Sequence, residues 1–241
     1  MSGVTTAIVL AGGLGERLRP LTSDRPKPMI VVYHYPLLHH SVVWLRRSGI
    51  KQIVISCGYR HEVIQEHFKD GRRFDLKITY SIEEEPLGRG GGIKLASQSL
   101  SEVSGPILVI NGDMITDLPV KDLADFHTKA QGSITMVTVP LKSPYGIVES
   151  DSNNNVVNFR EKPTLPYWIN AGVYLIEKKI LEEFPDKGDH EELLFPRLAQ
   201  ELRLKSFSFN GFWHTIDTAK DLADLQKKLE SLKNVRLSER P

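Results

Sequence analysis

Apolar residues in the first half of the chain fall in short unbroken runs. The stretches between them carry apolar residues at helical spacing. The runs at 6–10, 52–57, 77–82, 107–111 and 134–139 predict strands. The segments 36–48, 62–68, 93–99 and 120–131 predict helices, the first ended by Gly49 and the second near Gly71. Strand–helix alternation with continuous apolar strands predicts an α/β fold: a Rossmann-like, mostly parallel sheet flanked by helices on both faces, with right-handed crossovers. The pattern changes after Pro140. Runs at 147–149 and 156–159 flank Asp151-Ser152-Asn153-Asn154-Asn155, which reads as a β-hairpin. A strand at 172–176, helices at 178–184 and 193–202, a short strand at 207–209 and a closing helix at 218–232 follow. No linker, repeat or low-complexity tract interrupts the chain, so residues 1–241 read as one domain.

Composition narrows the function classes. The 241 residues suffice for a proper core, and 40% hydrophobic with 25% charged residues is ordinary for a soluble globular protein. A formal net charge of +1 gives no footprint for general nucleic-acid binding, so any anion site must be local. The single cysteine, Cys57, follows an apolar run and reads as a buried, inert thiol; no disulfide framework exists. No signal peptide and no run near the roughly 20 apolar residues of a membrane span can be seen, which predicts a cytoplasmic protein without a membrane partner. A homo-oligomer is compatible with the chain.

The chemistry begins in the turn after the first strand. Ala11-Gly12-Gly13-Leu14-Gly15-Glu16-Arg17 allows close backbone approach to a ligand, and its amides suit phosphate oxygens. A plain tight turn would look the same. A dinucleotide fingerprint fails because Leu18 stands where the third glycine would be, and no Gly-Lys-Ser/Thr exists for a P-loop. The turn continues through Arg19-Pro20 to Arg25-Pro26-Lys27-Pro28. It therefore gathers Arg17, Arg19, Arg25 and Lys27 beside backbone amides, with prolines stiffening the lysine's backbone. Asp113 ends the apolar run 107–111, and ligands of open α/β sheets sit at the carboxyl ends of strands. That places Asp113, a hard oxygen ligand suited to Mg2+, at the same edge as Gly12.

The segment 11–28 resembles the signature loop of the sugar-1-phosphate nucleotidyltransferases. The stretch 80–96 is most similar to their heptose-1-phosphate and mannose-1-phosphate guanylyltransferase members. The resemblance runs through Asp217 and implies an NTP and a sugar 1-phosphate as partners. It implies a nucleotide-binding half over about 1–139 and a sugar-binding half with the closing helix over about 140–241. Because extended members are longer, the chain resembles the minimal catalytic form. Leu10, Ala11, Gly12, Gly13 and Gly15 would meet the nucleotide, with Asn111 and Gly112 beside it; Arg17 and Lys27 would hold phosphates. Mg2+ would sit on Asp113 and on Asp217 of the Trp213–Asp217 region, although Asp217 or Thr218 could instead cap the last helix. The loop with Glu85, Pro86, Gly88 and Gly90 would wrap the nucleobase, and Arg89 stands where the family usually has threonine. Tyr145, Gly146, Glu161, Lys162, Asn170 and Gly172 would bind the sugar phosphate, with Lys162 placing it for catalysis; seen alone, Glu161-Lys162 is an ordinary surface pair. His34-Tyr35 replaces a small, glycine-containing turn, without a functional account. The implied reaction is in-line attack of the sugar-phosphate oxygen on the NTP α-phosphorus. The second phosphate pKa is about 6, so no side-chain base is required. GTP with a heptose or mannose 1-phosphate is the leading expectation. UTP or dTTP with a hexose 1-phosphate, or a silent nucleotide-sugar-binding regulator, are the alternatives.

Overall fold

The computed structural model describes residues 3–100 and 103–231. In chain order its strands and helices are β1 (Thr6–Leu10), β2 (Val31–Val32), β3 (Tyr35–Pro36), α1 (Leu37–Arg47), β4 (Gln52–Cys57), α2 (His61–Phe68) and β5 (Lys77–Ile82). Next come α3 (Gly88–Ser97), β6 (Ile107–Asn111), β7 (Met114–Thr116), α4 (Val120–Ala130) and β8 (Ile134–Lys142). The second half adds β9 (Ile147–Ser150), β10 (Val156–Arg160), β11 (Thr164–Ile176), α5 (His190–Leu193), α6 (Phe195–Gln200), β12 (Leu204–Ser208), β13 (Trp213–Thr215) and α7 (Ala219–Ser231).

Seven strands form one sheet in the order β12-β8-β11-β6-β1-β4-β5. The β5-β4-β1-β6 block is parallel throughout, and β12 runs parallel to β8. Only β11 is reversed, antiparallel to both β6 and β8. Strand alternation explains the unbroken apolar runs. Ala7 and Val9, Ile53 and Ile55, and Leu108 and Ile110 point into one core with Leu38, Val42, Ile64 and Phe68. Ile8, Val54, Ile107 and Val109 point into the other with Ile93, Ala96, Phe195 and Leu198. A third cluster joins Val32, Leu37 and Ile115 to Leu225 and Leu229 of α7. Among the described residues no helix is long and apolar enough to cross a membrane.

The departures from the sequence pattern have local causes. Helix α3 starts at Gly88 instead of 93, because four of its first five residues are glycines that give no apolar period and have poor helix propensity. Its start is fixed from outside: the Arg89 amide donates to Asp189 Oδ1 at 2.8 Å. The strand expected at 172–176 extends back to Thr164 because 164–170 pairs with β8. The helix expected at 193–202 is split at Leu194, with Pro196 in the first turn of α6. Tyr33 and His34 form the two-residue turn between β2 and β3 with φ of 56° and 137°, the backbone that glycine usually supplies.

His39 lies 2% exposed in α1, stacked on Tyr35, with its Nε2 lacking a hydrogen-bond partner. Burial first, then the neighbouring His40, His67 and Arg73, push its pKa from 6.5 down to about 4. The fold thus favours the neutral ring. Its contribution is complete above pH 6.5 and is lost as pH falls toward 4. The thermal midpoint of the protein should fall between pH 6.5 and 4, and His39→Leu should fall less steeply over that window. Equal slopes in thermal melts would contradict this assignment.

Candidate active site

Parallel pairing brings the successors of several strands to one edge. Leu10 is in register with Ser56 of β4 and with Asn111 of β6. The segments leaving β1, β4, β5 and β6 therefore emerge together, as the carboxyl ends of an open sheet do. Because β11 is reversed and Val173 faces Ile110, the residues before Val173 reach that same edge. This register is how Asn170 and Gly172, from the second half of the chain, meet the glycine loop.

Within the loop, Gly15 has φ 64°, and a Cβ there would come 2.9 Å from both Lys27 Cβ and Thr22 Cγ2. That close approach folds the loop back, helped by the Thr22 hydroxyl donating to the Gly15 carbonyl at 2.9 Å. Lys27 opens a single 3-10 turn between Pro26 and Pro28. Its ammonium donates to Asp113 Oδ2 at 2.6 Å and to Asp217 Oδ1 at 2.9 Å. Arg17 Nη2 reaches the same Asp217 oxygen at 3.0 Å. Lys27 is 12% exposed and Arg17 74%, so one cation is held in the floor and the other stands at the rim. Asp113 Oδ1 is buried without a hydrogen-bond partner.

Asp217 arrives by a long-range antiparallel pairing that gave no sequence signal. β13 pairs with β7, and the Ile216 amide donates to the Asp113 carbonyl. The capping alternative resolves in favour of Thr218. Its hydroxyl accepts from the Asp221 amide, while the Asp221 carboxylate accepts from the Thr218 amide and hydroxyl, a reciprocal cap that leaves the Asp217 carboxylate facing Lys27.

Around this cluster opens a cleft of about 1150 Å³. Leu10, Ala11, Gly12, Gly13, Arg17 and Lys27 line one side; Pro86, Gly88 and Arg89 line a second; Asn111, Asp113, Asn170, Gly172 and Asp217 line the third. Gly15 lines an adjoining recess with Arg17, Lys27 and both aspartates. Gly172 has φ 69°, and a Cβ there would stand 2.4 Å from Asn111 Nδ2, so only glycine leaves the Asn111 amide its place.

Some expected residues stand elsewhere. Gly112 is buried under the cleft, its amide donating to the Leu10 carbonyl, where a Cβ would come within 2.8 Å of that oxygen. Gly90 faces away, against Pro185 and the Gly188 carbonyl, because it lies inside α3 and not in a loop. Glu85 does not line the cleft; its neighbours Glu84 and Pro86 do. Tyr145, Gly146, Glu161 and Lys162 gather at the foot of the β9–β10 hairpin but outside the cleft lining. Gly146 lies against the Phe159 ring and Glu161 Oε2, and Lys162 Nζ is 3.7 Å from Glu161 Oε1.

The cleft also includes Tyr59, Glu83 and Asp189, which the sequence reading did not single out. Glu83 is the first residue past β5, a position that the carboxyl-end rule could have flagged. Its Oε1 accepts from the Ser56 hydroxyl at 2.9 Å and its Oε2 from the Leu87 amide at 3.1 Å. A carboxylate has about four lone-pair sites, so it retains acceptor capacity.

The match of this chain to known proteins follows the same boundaries. The family model described as Nucleotidyl transferase covers residues 6–231. The chain belongs to the nucleotidyl transferase family. It is 35% identical over 223 residues to "Mannose-1-phosphate guanylyltransferase catalytic subunit beta" of Drosophila melanogaster, covering 90% of this chain and 60% of that protein. "Mannose-1-phosphate guanyltransferase" of Saccharomyces cerevisiae is 36% identical over 222 residues, covering 89% and 62%. The chain thus spans about three-fifths of the length of these curated relatives. Among solved structures, HddC from Yersinia pseudotuberculosis superimposes with a TM-score of 0.75 at 28% identity, covering 94% of this chain and 100% of HddC. HddC complexed with GMP-PN gives 0.74 at 27%, with the same coverage.

Removing the Lys27 charge leaves two neighbouring carboxylates, one of them largely buried, without their shared cation. Lys27→Met should cost about 1–3 kcal/mol at pH 7. Denaturant unfolding at pH 7 measures it. A variant as stable as the parent at pH 7 would show that the pairs contribute nothing.

Proposed function

We propose that this chain transfers a nucleotidyl group from GTP to a mannose or heptose 1-phosphate, giving a GDP-sugar and pyrophosphate. The observation that carries the reading is the Lys27–Asp113–Asp217–Arg17 cluster beside the glycine loop. It combines exposed positive charge, backbone amides and two converging carboxylates at one strand edge. Guanine is supported by the relatives' names and by Glu83, whose carboxylate can accept from a base edge that presents two donors. UTP or dTTP with a hexose 1-phosphate remains the second substrate pairing.

The donor set fits a divalent cation. Asp113 keeps one buried oxygen without a partner, Asp217 faces the same point, and hard cations take carboxylate oxygen with substrate phosphates. Asp113 and Asp217 would hold Mg2+, which neutralises phosphate charge when bound. The loop amides of Gly12 and Gly13 would receive the nucleotide phosphates. Arg17 would grip the outer phosphates with its planar fork. Lys27, fixed by its flanking prolines, would stabilise the charge that develops on the leaving pyrophosphate. Asn170 and Gly172 would line the sugar side of the cleft. Tyr145, Gly146, Glu161 and Lys162 would engage the sugar phosphate from the hairpin foot, with Lys162 orienting the attacking oxygen. The sugar phosphate is largely dianionic at neutral pH and needs no general base. Catalysis is then positioning and charge neutralisation.

Pyrophosphate release is measured with Mg2+ across four NTPs and a panel of mannose, glucose and heptose 1-phosphates. Release should require both substrates and be fastest with GTP. Lys27→Ala should lower turnover by about 10²–10³, the loss typical of one preorganised donor. Release from no pair despite nucleotide binding would favour a regulatory nucleotide-sugar-binding role, and an unchanged Lys27→Ala rate would remove that residue from the chemistry.

A further inference from the structure

Arg89 stands where the resemblance leads one to expect a threonine, and the structure gives it three contacts. Its amide donates to Asp189 Oδ1 at 2.8 Å and its Nη2 to Asp189 Oδ2 at 2.9 Å. Its Nη1 lies 2.7 Å from Glu191 Oε1. The start of α3 is bound to the same segment through backbone: the Gly90 amide donates to the Gly188 carbonyl at 2.9 Å, and the Gly188 amide to the Leu87 carbonyl at 2.7 Å. There is no room for play, since a Cβ on Gly88 or Gly90 would come within 2.9 Å of Gly188 backbone or of Pro185. Arg89, the nucleobase loop before it and the segment 185–191 are therefore one body.

Glu191 continues the connection inward. The hydroxyl of the buried Tyr174, near the carboxyl end of β11, lies 3.4 Å from Glu191 Oε1 and accepts from Asn170 Nδ2 at 2.6 Å. Asn170 Oδ1 accepts from the Gly172 amide at 2.9 Å, so the Asn170 amide plane is held at both ends. Arg89 and Asn170 both line the cleft. A continuous polar chain, Arg89–Glu191–Tyr174–Asn170, thus runs beneath the cleft from the nucleobase wall to the sugar wall. Its surroundings are buried and aromatic: Tyr174 meets the rings of His190 and Phe195. In such a setting an unpaired partner is costly, which makes the two ends interdependent.

We propose that Tyr174 and Glu191 are positioning residues, neither touching substrate, that couple the nucleobase wall at Arg89 to the sugar wall at Asn170. Binding at one wall is then felt at the other, and the register between nucleotide and sugar phosphate is set by this chain of contacts. The supporting charge balance is local: Arg89 holds the Asp189 carboxyl below its ordinary pKa, while burial raises that of Glu191. Arg89 is the cation that faces both carboxylates.

The test uses the full chain with Tyr174→Phe, Arg89→Met and the double variant. Tyr174→Phe removes one hydroxyl and keeps the ring, and Glu191→Gln is the second, shape-preserving variant should Tyr174→Phe fold poorly. Cross effects are expected: Arg89→Met on the nucleobase side should raise the sugar-phosphate KM at least threefold. Tyr174→Phe on the sugar side should weaken GTP binding at least threefold. The double variant should be weaker by less than the product of the single effects. A merely structural role would lower the thermal midpoint and leave these constants unchanged. Effects confined to each residue's own wall, or multiplying fully, would overturn the coupling. The proposal rests on the reading of the cleft as shared by an NTP and a sugar 1-phosphate. Absence of pyrophosphate release in the parent would fall on that reading, while equilibrium GTP titration of the variants still decides the coupling. Absence of any nucleotide binding would overturn both.

Discussion

The burial of β1 on both faces, between β4 and β6, is the constraint from which the rest of the molecule follows. Because Ile8 faces one core and Ala7 and Val9 the other, the strand cannot slip by one residue without exchanging its two faces. Its register with Ser56 and Asn111 is thereby fixed, and with it the place where three loops leave the sheet. The glycine loop, the Glu83 loop and the Asp113 turn are consequences of that edge. The reversal of β11 adds the fourth element. An antiparallel strand delivers its amino-terminal residues to the edge where its parallel neighbours deliver their carboxyl-terminal ones, so Asn170 and Gly172 face the glycine loop.

At that edge the chain concentrates charge that it balances internally. Two carboxylates from positions more than a hundred residues apart meet one ammonium that is almost out of solvent. This arrangement suits a ligand rich in phosphate, because amides, arginine and lysine are in place before it arrives and little reorganisation remains to be done. The proposed sugar wall is built differently. Asn170 is held by a buried tyrosine, whereas Glu161 and Lys162 stand on an exposed hairpin foot.

The strands of the parallel block were legible almost residue for residue, because burial on both faces leaves uninterrupted apolar runs. That Lys27, Arg17 and Asp113 converge at one edge was legible too, through the glycine loop, the flanking prolines and the strand end. What the sequence concealed was determined by tertiary context. The start of α3 is hidden because glycines give no period and its cap, Asp189, lies a hundred residues away. The placement of Asp217 depends on a three-residue pairing between β7 and β13. Gly90, expected in the loop that wraps the nucleobase, is instead the point where a helix packs against the Gly188 backbone. Glu191 had no motif at all, and its relation to Tyr174 exists only through a side-chain contact across the fold.

The central claim is that Asp113 and Asp217, with Lys27 between them, form the place where a divalent cation and nucleotide phosphates meet. Equilibrium binding of Mn2+, followed by electron paramagnetic resonance with and without a non-hydrolysable GTP analogue, addresses it without relying on turnover. The account predicts that the analogue tightens Mn2+ binding in the parent protein and that Asp113→Asn weakens it by at least about tenfold, since one anionic ligand of a hard cation is lost. Equal Mn2+ binding by parent and Asp113→Asn, in the presence of the analogue, would contradict it.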